Sequence, residues 1–363
     1  MTALKSPASN PALFRDLLVA WFDANGRDLP WRRTRDPYAI LVSEIMLQQT
    51  QVATVIDYFT RWMERFPTVA ALANAGGSEV LHAWQGLGYY SRARNLHETA
   101  HCMESRHAGQ FPTDPGAMEN LPGIGSYTAA AVATFAFDQP VPVLETNIIR
   151  LLSRLFDYAE PVDSAAGRAF LRVRAAELVP AANAGRYNAA LMELGALVCV
   201  PRAPGCSVCP VHAFCAARDP AKLPVKKPRK ATVFVDQECA FIERGNKILL
   251  EQQTGRRWRG MWCLPPHLES DGIPLLKLKY SITHHLVTLA VFAQALPGKI
   301  RENQRWVSRN SLETFPMPSP HRKALDRLLR HVVESGAPDL DQVGTARRAV
   351  RGRPGGASLP RRH

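Results

Sequence analysis

Four cysteines within 17 residues, Cys199, Cys206, Cys209 and Cys215, constrain this chain more than any other feature. Their spacing is C-x6-C-x2-C-x5-C. Four thiolates so close in sequence can enclose a [4Fe–4S] cube or a single Zn²⁺ ion, and the spacing does not choose between them. Their density points to metal in a reducing compartment rather than to disulfides. The other three cysteines, Cys102, Cys239 and Cys263, are scattered and read as structural thiols.

The cysteine run closes a long helical stretch. Leu13, Phe14, Leu17, Leu18 and Trp21 follow helical spacing, with Gly26 where a C-cap belongs. Asp36-Pro37 reads as an N-cap followed by proline in the first turn, opening a helix expected to run through Gln49. Further helical patterns cover about 51–65, 78–84, 91–106, 127–136, 146–156, 165–178 and 187–198. Residues 219–230 (DPAKLPVKKPRK) are rich in Pro and Lys and read as a linker. Short β-branched or alternating runs follow at 231–235, 238–243, 247–251, 281–294 and 305–307, then a helix over about 320–334. The expected organisation is an all-α region over 1–218, the linker, a mixed α/β domain over 231–335, and a basic, disordered tail over 336–363.

With 363 residues, each of two domains can bury its own core. No run approaches the roughly 18 apolar residues of a membrane span. The opening residues lack the apolar centre of a secretory signal, so a cytoplasmic protein with no membrane partner is expected. The formal charge of +13 attracts polyanions, which makes nucleic acid the first partner to consider. Six arginines between Arg347 and Arg362 supply part of that charge, yet the body stays basic without them.

Leu121-Pro122-Gly123-Ile124-Gly125 sits between two helical patterns. Gly123 and Gly125 permit a tight turn with exposed N–H groups at a helix start, a geometry suited to a DNA phosphate. Alone, a GxG corner also fits an ordinary helix–turn–helix. Together with the cysteine run and the stretches SEIMLQQTQVATVIDYF, GLGYYSRARNL, LPGIGSYTAAAV and LMELGALVC, it resembles the helix–hairpin–helix adenine DNA glycosylases (MutY family). The resemblance covers about residues 11–215 and continues more faintly to about 330. It implies an all-α helix–hairpin–helix glycosylase with a [4Fe–4S] cluster loop at 199–215, and a C-terminal NUDIX-like α/β domain. The cluster would organise a basic loop against DNA, with Arg202 in the matching position.

Removing a base requires a proton donor and a carboxylate that stabilises a cation-like sugar, with the nucleotide extruded from the stack. Glu44 is the only charged residue in Tyr38–Leu47, an apolar setting that keeps a carboxyl protonated. Gln48 follows one turn later, and the family's catalytic Glu occupies the position of Glu44. The family's Leu-Asp-Gly-Asn type motif appears here as Leu144-Glu145-Thr146-Asn147, so the second acid is one methylene longer. An active enzyme with adjusted geometry, a glycosylase of another base, and a weakened lesion-binding protein all remain open; activity is favoured because every other recognised element is present.

Tyr127 stands where bifunctional relatives carry a Schiff-base Lys, and a phenol cannot form an imine. Hydrolysis without strand cleavage follows. By the same resemblance Arg32 and Glu193 hydrogen-bond the extruded adenine, Asn147 holds water or the acid, and Gln49 and Tyr89 wedge into the vacated stack. In the second domain, Trp258–Pro265 matches a strand-and-turn segment, and no pyrophosphatase box follows it. The family's Phe-Ser-His loop becomes Ile282-Thr283-His284, leaving Thr283 and His284 to meet 8-oxoguanine. The resemblance thus implies a monomer that binds double-stranded DNA containing A:8-oxoguanine or A:G and removes the adenine.

Overall fold

The computed structural model describes residues 6–228, 231–255, 257–268 and 272–335. The Arg-rich tail expected over 336–363 lies outside the described residues. The chain divides into two compact units: residues 1–75 with 91–229, and residues 76–90 with 230–363.

The first unit is helical. Its helices are α1 (Pro11–Asn25), α2 (Pro37–Leu47), α3 (Val52–Arg65), α4 (Val69–Ala73), α6 (Ser91–His107), α7 (Pro115–Glu119), α8 (Ser126–Phe137), α9 (Thr146–Leu155), α10 (Ala165–Leu178) and α11 (Ala184–Leu197). α5 (Gly77–Ala83) belongs to the second unit. Local chemistry sets many boundaries. Asn10, Asp36, Thr68, Asp114 and Ser164 each cap a helix by accepting from backbone amides in its first turn. Proline occupies the first turn of α1, α2 and α7, where its missing N–H costs nothing. The short helices α4 and α7 give too few turns for a periodic pattern and escape the sequence reading.

α2 is buried on all sides from Tyr38 to Met46. It stops at Leu47, not at Gln49 as the sequence suggests: Gln48 leaves the helical region with ψ of 110°, and Gln49 adopts φ of 59°. On α9, Ile148, Leu151, Leu152 and Leu155 form the inward stripe. They join Phe14 and Leu18 of α1, Leu171 and Leu178 of α10, and Leu191 and Leu194 of α11 in one core. Residues 219–228, read as a linker, are anchored on this unit. Leu223 is buried, Val162 donates its N–H to the Val225 carbonyl, and Lys227 donates its own to Asp163.

The second unit holds two sheets. β1 (Val233–Phe241) lies parallel to β6 (His285–Ala293), which pairs antiparallel with β5 (Leu276–Ile282). In the other sheet, β3 (Lys247–Gln252) pairs antiparallel with β2 (Glu243–Arg244), β4 (Trp262–Cys263) and β7 (Gln304–Ser308). α12 (Ser319–Ser335) buries Ala324, Leu325 and Leu328 against the inward residues of β1, β3 and β6. Runs 231–235 and 238–243 merge into β1 plus the start of β2. Run 281–294 is broken by the turn at Thr283-His284. Among the described residues, no helix is long and apolar enough to cross a membrane.

Candidate active site

One cavity in the helical unit gathers seven of the candidate residues: Arg32, Glu44, Gln49, Tyr127, Glu145, Asn147 and Glu193. Glu44 projects from buried α2 and is 4% exposed. Tyr127, in the first turn of α8, donates its hydroxyl to Glu44 Oε2 at 2.5 Å. Burial pushes the Glu44 carboxyl up to about 7; the Tyr127 hydrogen bond pulls against this, and the Glu145 charge adds to it. Burial and the adjoining Glu44 raise the Tyr127 phenol, so it remains a donor.

Glu145 is the N-cap of α9. Its Oε2 accepts from the Asn147 amide at 2.7 Å and its Oε1 from the Ile148 amide at 2.9 Å. This cap holds both carboxylate oxygens at a helix N-terminus, where negative charge is favoured. Burial raises the Glu145 carboxyl, and the two amide hydrogen bonds oppose the rise. Glu44 and Glu145, on the same lining, thus have different partners: Glu44 receives one phenol, Glu145 two backbone amides.

Further along the lining, Glu193 of α11 is 1% exposed and accepts from two arginines. Arg27 grips it bidentately, with Nε on Oε1 at 2.7 Å and Nη2 on Oε2 at 2.9 Å, and adds its backbone N–H at 3.0 Å. Arg32 Nη2 donates to Oε2 at 2.8 Å. Burial alone would raise the Glu193 carboxyl, but these donors outweigh it and hold it at about 2. Glu193 is therefore an anion, able to accept hydrogen bonds and not to donate them. Sequence reasoning missed Arg27. Its place in a charge-dense segment, with Asp28, Arg32, Arg33, Arg35 and Asp36 close by, did not mark it out.

It missed Arg150 and Arg154 as well, two arginines spaced i, i+4 on a helix with no other charged residue. Arg150 donates to Asn147 Oδ1 at 2.8 Å, to the Gly195 carbonyl at 2.6 Å and to the Cys199 carbonyl at 2.8 Å. A side chain at Gly195 would lie 2.7 Å from Asn147 Cβ, so glycine is what lets α9 and α11 approach here. Arg154 donates to the carbonyls of Cys199, Val200 and Pro201 and to Cys199 Sγ at 3.1 Å.

The four cysteines surround a separate small pocket with Leu151, Leu155 and Val198. Burial above all, with repulsion from neighbouring Cys199, Cys215 and Cys206, lifts the Cys209 thiol to about 11, against a backbone hydrogen bond at Val211. Among the described residues, no three His, Cys, Asp or Glu side chains converge as a single metal ion requires. The donor set fits a group that accepts four soft thiolates and neutralises their charge. Arg202 is exposed on the same loop.

The hairpin lies outside the cavity. Gly123 has φ of 73°, and Gly125 is the N-cap of α8 without a side-chain cap, leaving first-turn amides for an external acceptor. Tyr89, Thr283 and His284 fall in the second unit. Tyr89 is 44% exposed with φ of 47°. Thr283, with φ of 52°, and His284 form the two-residue turn between β5 and β6.

Residues 42–173, which include Glu44, the hairpin, Tyr127 and Glu145, match the family model of the HhH-GPD superfamily base excision DNA repair protein. Adenine DNA glycosylase of Rattus norvegicus is 45% identical over 233 residues, which cover 59% of this chain and 45% of the rat protein. The chain thus spans less than half the length of the mammalian relatives it matches. Adenine DNA glycosylase of Buchnera aphidicola subsp. Acyrthosiphon pisum is 32% identical over 345 residues, covering 88% of this chain and 99% of that protein. The chain belongs to the adenine DNA glycosylase family. Among solved structures, this family member resembles a thermostable thymine-DNA glycosylase at 29% identity and a TM-score of 0.53, over 57% of this chain and 96% of the other. A trapped endonuclease III–DNA covalent intermediate shares the fold at 21% identity and a TM-score of 0.51.

Proposed function

We propose that this chain is a monofunctional adenine DNA glycosylase of base excision repair, hydrolysing the N-glycosidic bond of adenine paired with 8-oxoguanine or G. The observation that carries the reading is Glu44. It is a buried carboxyl raised to about 7, bonded to a phenol and lining one cavity with a second carboxylate. At neutral pH a substantial fraction of such a group holds a proton that it can pass to a ring nitrogen of an extruded base. As the C–N bond breaks, positive charge develops on the sugar, and the Glu145 carboxylate offers a fixed counter-charge. Water then bonds to the sugar carbon, because Tyr127 cannot form an imine. The product is an abasic site in an unbroken strand.

Base selection fits Glu193. An anionic acceptor beside Arg32 favours a base edge that pairs an amino donor with a ring-nitrogen acceptor, as adenine does. Gly123 and Gly125 are assigned to phosphate, Gln49 and Tyr89 to the opened stack, and Asn147 to orienting water. In the second unit, read as NUDIX-like, the Thr283 hydroxyl and His284 imidazole are assigned to the opposing 8-oxoguanine. Cys199, Cys206, Cys209 and Cys215 would hold a [4Fe–4S] cluster, which when bound fixes the loop carrying Arg202.

The test is a single-turnover assay on a duplex with one A:8-oxoguanine pair. Strand breakage only after alkali is expected. Breakage without alkali would overturn the assignment of Tyr127, and tight binding without base release would overturn the glycosylase reading. Iron content and absorbance near about 400 nm decide the cluster.

A further inference from the structure

Carbonyls at the end of a helix lack partners within it, and the last turn of α2 begins with buried Ile45 and Met46. Arg92, in the first turn of α6 and 8% exposed, meets that need. Its Nη1 lies within hydrogen-bond distance of three carbonyl oxygens: Ile45 at 2.8 Å, Met46 at 3.0 Å and Gln48 at 2.5 Å. Its Nη2 approaches Thr50 Oγ1 at 3.4 Å. A cation here also opposes the negative end of the α2 dipole. The pinned groups bracket Gln49, whose left-handed backbone is uphill for any residue but glycine.

The same face of α6 reaches the hairpin. Asn95 and Thr99 follow Arg92 at i+3 and i+7. Asn95 lies so close to Gly123 that a Cβ there would come within 2.5 Å of it. Thr99 Oγ1 donates to the Pro122 carbonyl at 2.6 Å. One helix face therefore touches the hairpin, the turn at Gln49 and the end of the helix that carries Glu44.

We propose that Arg92 is a positioning residue for base extrusion. Its guanidinium fork, on the strut formed by α6, locks the Gln49 turn and α2 in register with the hairpin. DNA held by phosphate at the hairpin then meets wedge and acid at set distances. The inference rests on the glycosylase reading, but its first readout needs no substrate.

The full chain is compared with Arg92→Lys and Arg92→Met. Lysine keeps the charge without the fork, and stands in if the methionine variant does not fold. In hydrogen exchange without DNA, peptides over 45–52 should exchange at least about tenfold faster in both variants, with peptides over 121–126 unchanged. With 2-aminopurine as the target base opposite 8-oxoguanine, the fluorescence rise on extrusion should slow by about 10- to 100-fold. The single-turnover rate on A:8-oxoguanine should slow with it. Affinity for undamaged duplex should stay within about threefold, because the hairpin keeps its own geometry.

Unchanged exchange over 45–52, or extrusion at the wild-type rate, would overturn the proposal. So would a uniform loss of protection across the helical unit together with DNA affinity, which would reduce Arg92 to general stability. Wild-type protein that binds the lesion duplex without extruding would instead overturn the glycosylase reading and the role in extrusion with it. The exchange result would still decide whether Arg92 holds the turn.

Discussion

Glu44 and Glu145 bear the same functional group under different hydrogen bonding. Burial raises both, but two backbone amides oppose the rise at Glu145, while Glu44 receives a single phenol. A difference of this kind lets one carboxyl donate a proton while another carries charge. If Glu44 is the donor, the single-turnover rate should be level below about pH 7 and fall towards tenfold per unit above it, because only the protonated form acts. A rate still rising at pH 9 would exclude Glu44 as the donor. Glu44→Gln, which keeps the size and loses the proton, should reduce the rate by about 100-fold or more while DNA affinity persists. Glu145→Gln can still cap α9 through its amide oxygen, so melting temperature should change little. Its single-turnover rate should nonetheless fall by about 100-fold, because the counter-charge is gone. A normal rate in that variant would make Glu145 a helix cap and nothing more.

At the scale of elements, the grip of the segment before α2 on α11 is the most consequential contact that sequence did not reveal. Arg27 and Arg32 enclose a buried anion, and losing hydrogen bonds to such a charged group costs about 1.5–3 kcal/mol. Arg27→Met should therefore destabilise the helical unit by about that much in denaturant titration. Adding Glu193→Gln should recover part of that loss, since the anion left with Arg32 alone is then removed. Additive losses would show that the pair is not coupled. The longer helices were legible from periodicity and caps, and α1, α3, α6 and α10 match their expected spans within a few residues. Glu44 was legible because it interrupts an apolar run. Arg27, Arg92 and Arg150 were not, because most of their partners are backbone carbonyls or an acid at least 44 positions away, and no local pattern encodes such pairs. The early end of α2 was hidden for the same reason: a tertiary guanidinium, not a breaker residue, accounts for its last carbonyls.

For the molecule as a whole, the two units place their buried ionisable groups differently. The helical unit meets its buried arginines with backbone carbonyls and its buried Glu193 with arginines, whereas the sheet unit holds a buried His321 on α12 in its uncharged form. His321 is fully buried, accepts the Leu264 N–H on Nδ1 at 3.2 Å and meets the edge of Trp258. Burial, then the nearby Arg257 charge, lower its imidazole to about 3. Between about pH 3 and 6.5 the unfolded chain therefore binds one proton more at this site than the folded chain does. Stability must rise with pH across that window and be fully present above it, with a slope of up to about 1.4 kcal/mol per pH unit. Acidification from pH 7 to 5 should lower the melting transition of the sheet unit by this mechanism. In His321→Gln, whose amide oxygen can still accept from Leu264, the contribution of this site should vanish and the transition should vary less with pH. An equally steep dependence in the variant would assign the acid sensitivity to other groups. On the proposal that the Thr283-His284 turn meets the opposing base, the outcome also bears on lesion recognition, because Trp258 and Gln237, both adjoining His321, belong to the same unit as that turn. If that packing loosens at low pH, discrimination between 8-oxoguanine and G in the opposing strand should decline together with the melting transition, while the rate of base release at saturating DNA should not follow it.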